Sequence, residues 1–405
     1  MPRAFTVLHS CLLVAFLVCL VAVPAALWWV AVSGLAVALV SLAVPAPWRL
    51  RREDGWWLVA LAGFGTHLVL DAWRGGAPVG AQTAATLPWW PWLACLLLVA
   101  WRRHPPATGA LWLGAGLAAL GAGVVALYEW LVLSDARANN GINSIPFGNL
   151  SLLLGVLALV GALSWRGPWA GRLTCALAAL AGMVASLLSG TRGGWITLPL
   201  VIAVLGFCYR GGLGEAARKL SVIGWVIVLA LALALLVFAA EQALPRFADL
   251  VNDLQRYRVV GNTRTSVGLR LDMWHTAFNL FLQKPFFGWG EHAMRPALQS
   301  LIAEGRLNEQ AQYFGYQLHN DWLDTGARRG VLGLLTLMPF FAVPLVGFVR
   351  RLRVDGRGAS ALAGLLLVLM FLGFGFTQTQ IRDERAFAAY LVLMVTCWIM
   401  VRRSH

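Results

Sequence analysis

Along this chain, apolar runs of mostly fifteen to twenty-four residues recur throughout, the fourth being shorter. A run of that length matches the ~30 Å hydrocarbon core of a bilayer when wound as an α-helix. Inside hydrocarbon no water satisfies backbone N–H and C=O groups. Only helices or closed barrels can therefore cross, and runs this long and evenly apolar select helices. The expected fold class is an all-α polytopic membrane protein. Composition agrees: 59% of the 405 residues are hydrophobic and 12% charged, with a mean hydropathy of +0.71. A soluble domain carries about a quarter charged residues.

Twelve spans are expected, at 5–22, 25–44, 56–72, 89–101, 110–133, 148–164, 172–188, 194–209, 220–240, 330–349, 359–377 and 387–401. They divide the chain into spans one to nine (1–241), a long polar loop (242–326) and spans ten to twelve (327–405). Arg3 ahead of an apolar run, followed by AVPAAL, has the look of a cleavable leader. An uncleaved first helix is the better reading, since a second apolar segment follows at once and the orientation works only with the first included.

Orientation follows from the basic residues. With both ends on one side, that side holds Arg3, Arg49, Arg51, Arg52, Arg102, Arg103, Arg166, Arg172, Arg210, Arg218, Lys219, Arg350, Arg351, Arg353, Arg357, Arg402 and Arg403, against only Glu53, Asp54, Glu215 and Asp355. The other side is nearly balanced. Lys and Arg in short loops mark the cytoplasmic face, so both termini are expected inside and the long loop outside. The formal charge of +14 is thus spread along one membrane face, which argues against nucleic acid as a partner. The six cysteines lie in apolar segments without a CxxC pair, pointing to small hydrophobes rather than a zinc site or disulfide framework.

Acidic residues avoid the centres of the spans; Asp71, Glu129 and Glu241 fall near outer ends. Ion-coupled transport would place ionisable groups at mid-bilayer or show internal repeats, and neither is evident. The inner loops, about ten residues each, are too short for a nucleotide-binding domain. A donor sugar would have to arrive on a lipid. No paired-carboxylate metal motif or GxSxG elbow occurs, so no metal or cofactor is expected.

Three outer positions carry candidate chemistry. SGTRGGW (189–195) puts Arg192 in a glycine-flanked turn at the start of a helix, where guanidinium and helix end together favour phosphate. From these residues alone, an interfacial arginine finishing a hairpin fits equally well. Within the loop, VGLRLDMWHTAFNLFLQ (267–283) predicts an amphipathic helix with Val267, Leu271, Trp274, Phe278 and Phe281 as its apolar stripe and Arg270 beside it. Taken singly, Arg270 reads as a snorkelling side chain. KPFFGWGEH (284–292) then makes a Gly288–Gly290 turn, and a second helical stretch is expected near 292–304. Finally, LHNDWLDTGARRG (318–330) presents His319, a general-base candidate with His275 and His292 as rivals, followed by Asn320, Asp321 and Trp322.

In this order, the outer Arg in SGTRGGW, the R-x-x-x-W of Arg270 and Trp274 with its PFFGWG turn, and HNDWL running into Gly326, Gly330 and Gly333 resemble the bacterial O-antigen ligase and polymerase superfamily across about residues 185–335. The resemblance implies a GT-C-like glycosyltransferase architecture in the inner membrane with a periplasmic site. It implies metal-independent, inverting transfer of a glycan from undecaprenyl pyrophosphate to the lipid A core oligosaccharide. Carried over, Arg192 and Arg270 would bind pyrophosphate and His319 would act on the acceptor hydroxyl. Arg264, Trp274, Asn320, Asp321, Arg328, Arg329, Arg382 and Arg385 are expected around the substrates, with Asp321 and Asp324 as fallback bases. Glycan polymerisation and transfer to protein could use the same three residues; a lipid-linked glycan flippase is the alternative from another class.

Overall fold

The computed structural model describes residues 2–45, 50–74, 87–134, 137–165, 167–209, 263–314, 317–354 and 358–401, with 252, 253, 255 and 259. These residues form helices and connecting turns, with no strand among them. In chain order the helices are α1 (Pro2–Val21), α2 (Leu27–Ala43), α3 (Arg52–Arg74), α4 (Trp90–Arg103), α5 (Thr108–Leu131), α6 (Ser144–Ser164), α7 (Trp169–Leu188), α8 (Leu198–Tyr209), α9 (Ser266–Gln283), α10 (Gly290–Ala303), α11 (Asp321–Val354), α12 (Ala359–Gly375) and α13 (Glu384–Val401).

Seven of these are long and apolar enough to cross a bilayer unaided: α1, α2, α5, α6, α7, α11 and α13. The α8 and α12 segments are apolar but shorter. α3 carries charges at both ends and α4 has 14 residues. The expected ninth span (220–240) and the boundary at 241/242 lie outside the described residues; each of the other expected spans falls on a helix. The chain is an all-α polytopic membrane protein.

Between lipid-embedded helices there is no hydrophobic drive, so close approach depends on small residues. Gly155 of α6 and Gly182 of α7 meet backbone to backbone, and Gly123 of α5 fits against Ala181 of α7; a Cβ at any of the three would collide. The centre of the bundle is α13, where Ala386–Val401 is entirely buried. At one end of the bundle Asp54 of α3 accepts from Arg102 (2.6 Å) and from the indole of Trp398 (2.9 Å). At the other end of α3, Asp71 pairs with Arg74 (3.1 Å) and Arg329 (3.3 Å). At 1.5 Å per residue, these two ends stand ~25 Å apart.

The loop helices dock at the Asp71 end. α9 forms where its periodicity predicts, and Thr265 caps it by accepting from the Gly268 amide (3.0 Å). Its buried face, however, is Leu269, Met273, Ala277 and Leu280, packed on Met294, Leu298, Leu307, Leu318 and Ala327. Of the expected stripe, Phe278 is half exposed, Val267, Leu271, Trp274 and Phe281 are partly buried, and the Trp274 indole turns inwards to the His319 carbonyl. Two apolar sets share this cylinder, and contact with α10 and α11 buries the one that carries Met273 and Ala277 more deeply.

Candidate functional site

α11 is broken at Gly330 (φ 63°, ψ −160°), a backbone conformation that L side chains rarely adopt. The turn Pro285–Gly288 lies in the break. The amides of Val331 and Leu332 donate to the carbonyls of Pro285 (2.7 Å) and Phe286 (3.3 Å), and a Cβ at Gly288 or Gly330 would collide with the opposing backbone. The PFFGWG turn therefore fixes the short segment Asp321–Arg329 relative to the spanning part of α11.

His319 sits just before that segment, 4% exposed and with φ +50°. A non-glycine residue held at positive φ is strained, a state that persists only where its surroundings over-determine it. Here they do. Its carbonyl accepts from the Trp274 indole (3.3 Å), and its Nδ1 is bonded to Oε1 of Gln378. Next to it, Thr379 donates to Gln317 (2.6 Å). An amide oxygen accepts, so Nδ1 carries the proton and Nε2 keeps its lone pair. Burial, and then the Arg270 guanidinium, push the His319 pKa down to about 4, while Gln378 and Asp324 pull weakly the other way. The imidazole is neutral at ordinary pH.

Arg192 is exposed and forms the N-cap of a short 3₁₀ turn, Gly193–Thr197, that leads into α8. A Cβ at Gly193 would strike the Thr377 hydroxyl, so this turn rests on the residue next to Gln378. Arg270 reaches the same place from α9: burial lowers its pKa, and so do the charges of Arg192 and Arg137. Arg137 donates to the Ser189 carbonyl (2.8 Å), the first residue of the SGTRGGW turn. Three guanidiniums and a neutral imidazole thus converge from four separate stretches of chain. Such a cluster can bind a multiply charged anion and accept a proton beside it.

The other expected residues take different places. Asn320 caps α11, its Oδ1 accepting from the amides of Trp322 and Leu323 (3.0 Å each) while its Nδ2 donates to the Phe376 carbonyl (3.3 Å). Asp321 accepts from the Ile381 amide (3.1 Å) and is buried. Arg328 and Arg382 lie inside an ion network. Arg328 donates to Asp324 (2.9 Å) and Glu291 (3.5 Å), Arg329 to Glu291 (3.4 Å) and Arg382 to Glu291 (2.5 Å). Those arginines hold the Glu291 carboxyl well below its ordinary range despite its burial, and the carboxylates raise Arg382. Arg385 donates to the carbonyls of Cys19 (3.2 Å) and Leu20 (2.9 Å) at the end of α1. Arg264 is exposed at the entry to α9.

Sequence reasoning missed Gln378, Arg137 and Glu291. Gln378 had a signal: QTQ (378–380) closing an otherwise apolar span is a costly place for three polar side chains. Arg137 had none beyond its place on the expected outer side.

Comparison with known proteins bears on the same region. Residues 175–338 match the O-antigen ligase family. An uncharacterized protein of Haemophilus influenzae is 26% identical over 309 residues, 75% of this chain and 76% of that protein. The O-antigen ligase of Escherichia coli is 26% identical over 158 residues, which covers 38% of this chain and 35% of that protein.

Proposed function

Because residues 175–338 match the O-antigen ligase family, we propose that the chain transfers a glycan from undecaprenyl pyrophosphate to a sugar hydroxyl of the lipid A core oligosaccharide. The observation that carries this reading is His319, locked by Gln378 with Nε2 as its acceptor atom and standing within the field of Arg270, which itself feels Arg192 and Arg137.

The acceptor oxygen attacks the anomeric carbon from the face opposite the phosphate, forming the new glycosidic bond with inversion. The bond from anomeric carbon to phosphate oxygen breaks, and its electron pair leaves with undecaprenyl pyrophosphate. The hydroxyl proton passes to Nε2 of His319. Arg192 and Arg270 stabilise the charge that grows on the leaving oxygen, in a site partly shielded from water where such contacts gain strength. Pyrophosphate is already a good leaving group, so the catalytic burden falls on the poor nucleophile, where a positioned base contributes ~10²–10⁴-fold. A base with a pKa near 4 is weak in the empty site. The anionic donor offsets Arg270, so donor binding strengthens the base when it is needed.

The excess of Arg and Lys on the faces opposite this site supports a periplasmic location in the inner membrane, with both termini cytoplasmic. Reconstitution with lipid-linked glycan and separate acceptors tests the reading. Glycan on lipid A core is the expected product. Longer lipid-linked chains or glycosylated protein would instead indicate the polymerase or protein-transferase reaction, and translocation without any product a flippase.

A further inference from the structure

A half-open groove runs along the bundle between α1, α2, α4 and α13, from Trp90 at the start of α4 to His9 and Trp101 near the Asp54 end. Its walls are apolar, among them Phe16, Leu35, Leu97 and Val392, and Gly34 of α2 leaves a gap with no atom within 4 Å of where a Cβ would sit. Two lining residues break the pattern. His9 is 1% exposed and Trp101 4%, with ring centroids 6.1 Å apart. Nδ1 of His9 donates to the His104 carbonyl (2.6 Å), which leaves Nε2 as an acceptor. Neither Nε2 of His9 nor Nε1 of Trp101 has a hydrogen-bond partner among the described residues.

A buried donor and a buried acceptor without partners cost roughly 1–3 kcal/mol each. Helix packing does not require the Trp101 indole N–H, since phenylalanine would keep most of the ring; the His9 ring ties α1 to the end of α4 through Nδ1 alone, which leaves its Nε2 unexplained. The pair calls for a ligand that offers one carbonyl and one hydroxyl at the mouth of a hydrocarbon slot. In a membrane protein, the molecule available to such a slot is a lipid. The charge nearby narrows its headgroup. Arg3 is exposed six residues before His9, ~9 Å along α1, and Arg103 ends the same helix as Trp101. We propose that this groove binds one acyl chain of a phospholipid with an anionic, hydroxyl-bearing headgroup. The ester carbonyl accepts from Trp101, the hydroxyl donates to His9, and the phosphate lies towards Arg3 and Arg103. The site is independent of the transferase reading, since its polar pair lies near the Asp54 end of the bundle and none of its lining residues belongs to the His319 cluster.

The test uses the full chain in nanodiscs of equal phosphatidylglycerol and phosphatidylethanolamine with identical acyl chains, and counts retained lipids by native mass spectrometry. The wild type should keep one phosphatidylglycerol, several-fold over phosphatidylethanolamine. Trp101→Phe, which preserves the ring and removes the donor, should lower that retention several-fold. Gly34→Leu should abolish it by filling the gap, with an unchanged unfolding temperature. Equal retention of the two lipids, or retention that survives both substitutions, overturns the proposal. Should Gly34→Leu fail to fold, Trp101→Phe decides alone.

Discussion

Replacing Arg270 by Gln tests the electrostatic coupling on which the proposed chemistry depends. His319 is held to about 4, against an ordinary 6.5, by burial first and Arg270 second. At 1.36 kcal/mol per pH unit, the folded protein disfavours the imidazolium by about 3 kcal/mol. Only about one molecule in a thousand is therefore protonated at pH 7. The kcat/KM for transfer should consequently hold as pH falls from 7 and decline only near 4, whereas kcat, read with donor bound, should decline at a higher pH. In Arg270→Gln the midpoint should move up towards 6.5 and stop short of it, because burial remains. Undecaprenyl pyrophosphate should move the wild-type midpoint in the same direction by offsetting Arg270, and should have little effect in the variant. Deuterium exchange at the imidazole C2 carbon, followed by mass spectrometry across pH, reads His319 directly and needs no turnover. The stability sign follows from the same shift. The unfolded chain binds the proton more readily, so this group costs nothing above about 6.5 and destabilises the fold progressively as pH falls towards 4. A wild-type midpoint near 6.5, or one indifferent to both Arg270→Gln and the donor, refutes the coupling.

His319→Ala and Arg270→Ala should abolish transfer while the protein still inserts, measured by product formation against membrane-fraction abundance; full activity in His319→Ala would remove it as the base. Arg192→Lys should lose most activity if the contact is a bidentate fork on phosphate, and equal activity would mean that point charge suffices. Gln378→Leu should lower kcat on the order of 10²-fold with KM little changed, because the imidazole loses its fixed tautomer; a pure KM effect would contradict that role. Glu291→Gln should destabilise the protein by about 3–5 kcal/mol, because Arg328, Arg329 and Arg382 lose a shared buried anion. Thermal unfolding in detergent checks this, and an unchanged midpoint would show that Asp324 and Asp71 suffice.

The spans were legible because a bilayer imposes one length and one polarity on whatever crosses it; α1, α5 and α6 fall within a few residues of where hydropathy puts them. α9 was legible as a helix but not in its facing, since hydropathy ranks Phe278 above Ala277 while packing on Met294 and Leu298 prefers the smaller residue. The break at Gly330 was hidden. A glycine opening an apolar run just after Arg328 and Arg329 gives no sign of a break until Pro285 and Phe286 are seen occupying the gap. Arg192, Arg270 and His319 stood out as isolated motifs, but the link between them runs through Thr377 and Gln378, more than fifty residues past His319. No local pattern encodes a contact of that separation.

The arginines of the outer end show why residue type alone could not separate site from scaffold. Arg328, Arg329 and Arg382 look as available as Arg192 and Arg270 in sequence, yet each meets Glu291. Asp324 and Asp71 complete the balance across α3, α10 and α11. The charges acting on Arg270 are instead those of two further arginines. Opposite charges hold the ends of these helices together, whereas the guanidiniums of Arg137 and Arg192 both act on Arg270 at the turn, an arrangement that favours a polyanion there. Burial first and the Arg270 charge second make the His319 imidazole a weak base in the empty site; a bound polyanion offsets the second, which ties the strength of the base to occupancy of the phosphate site.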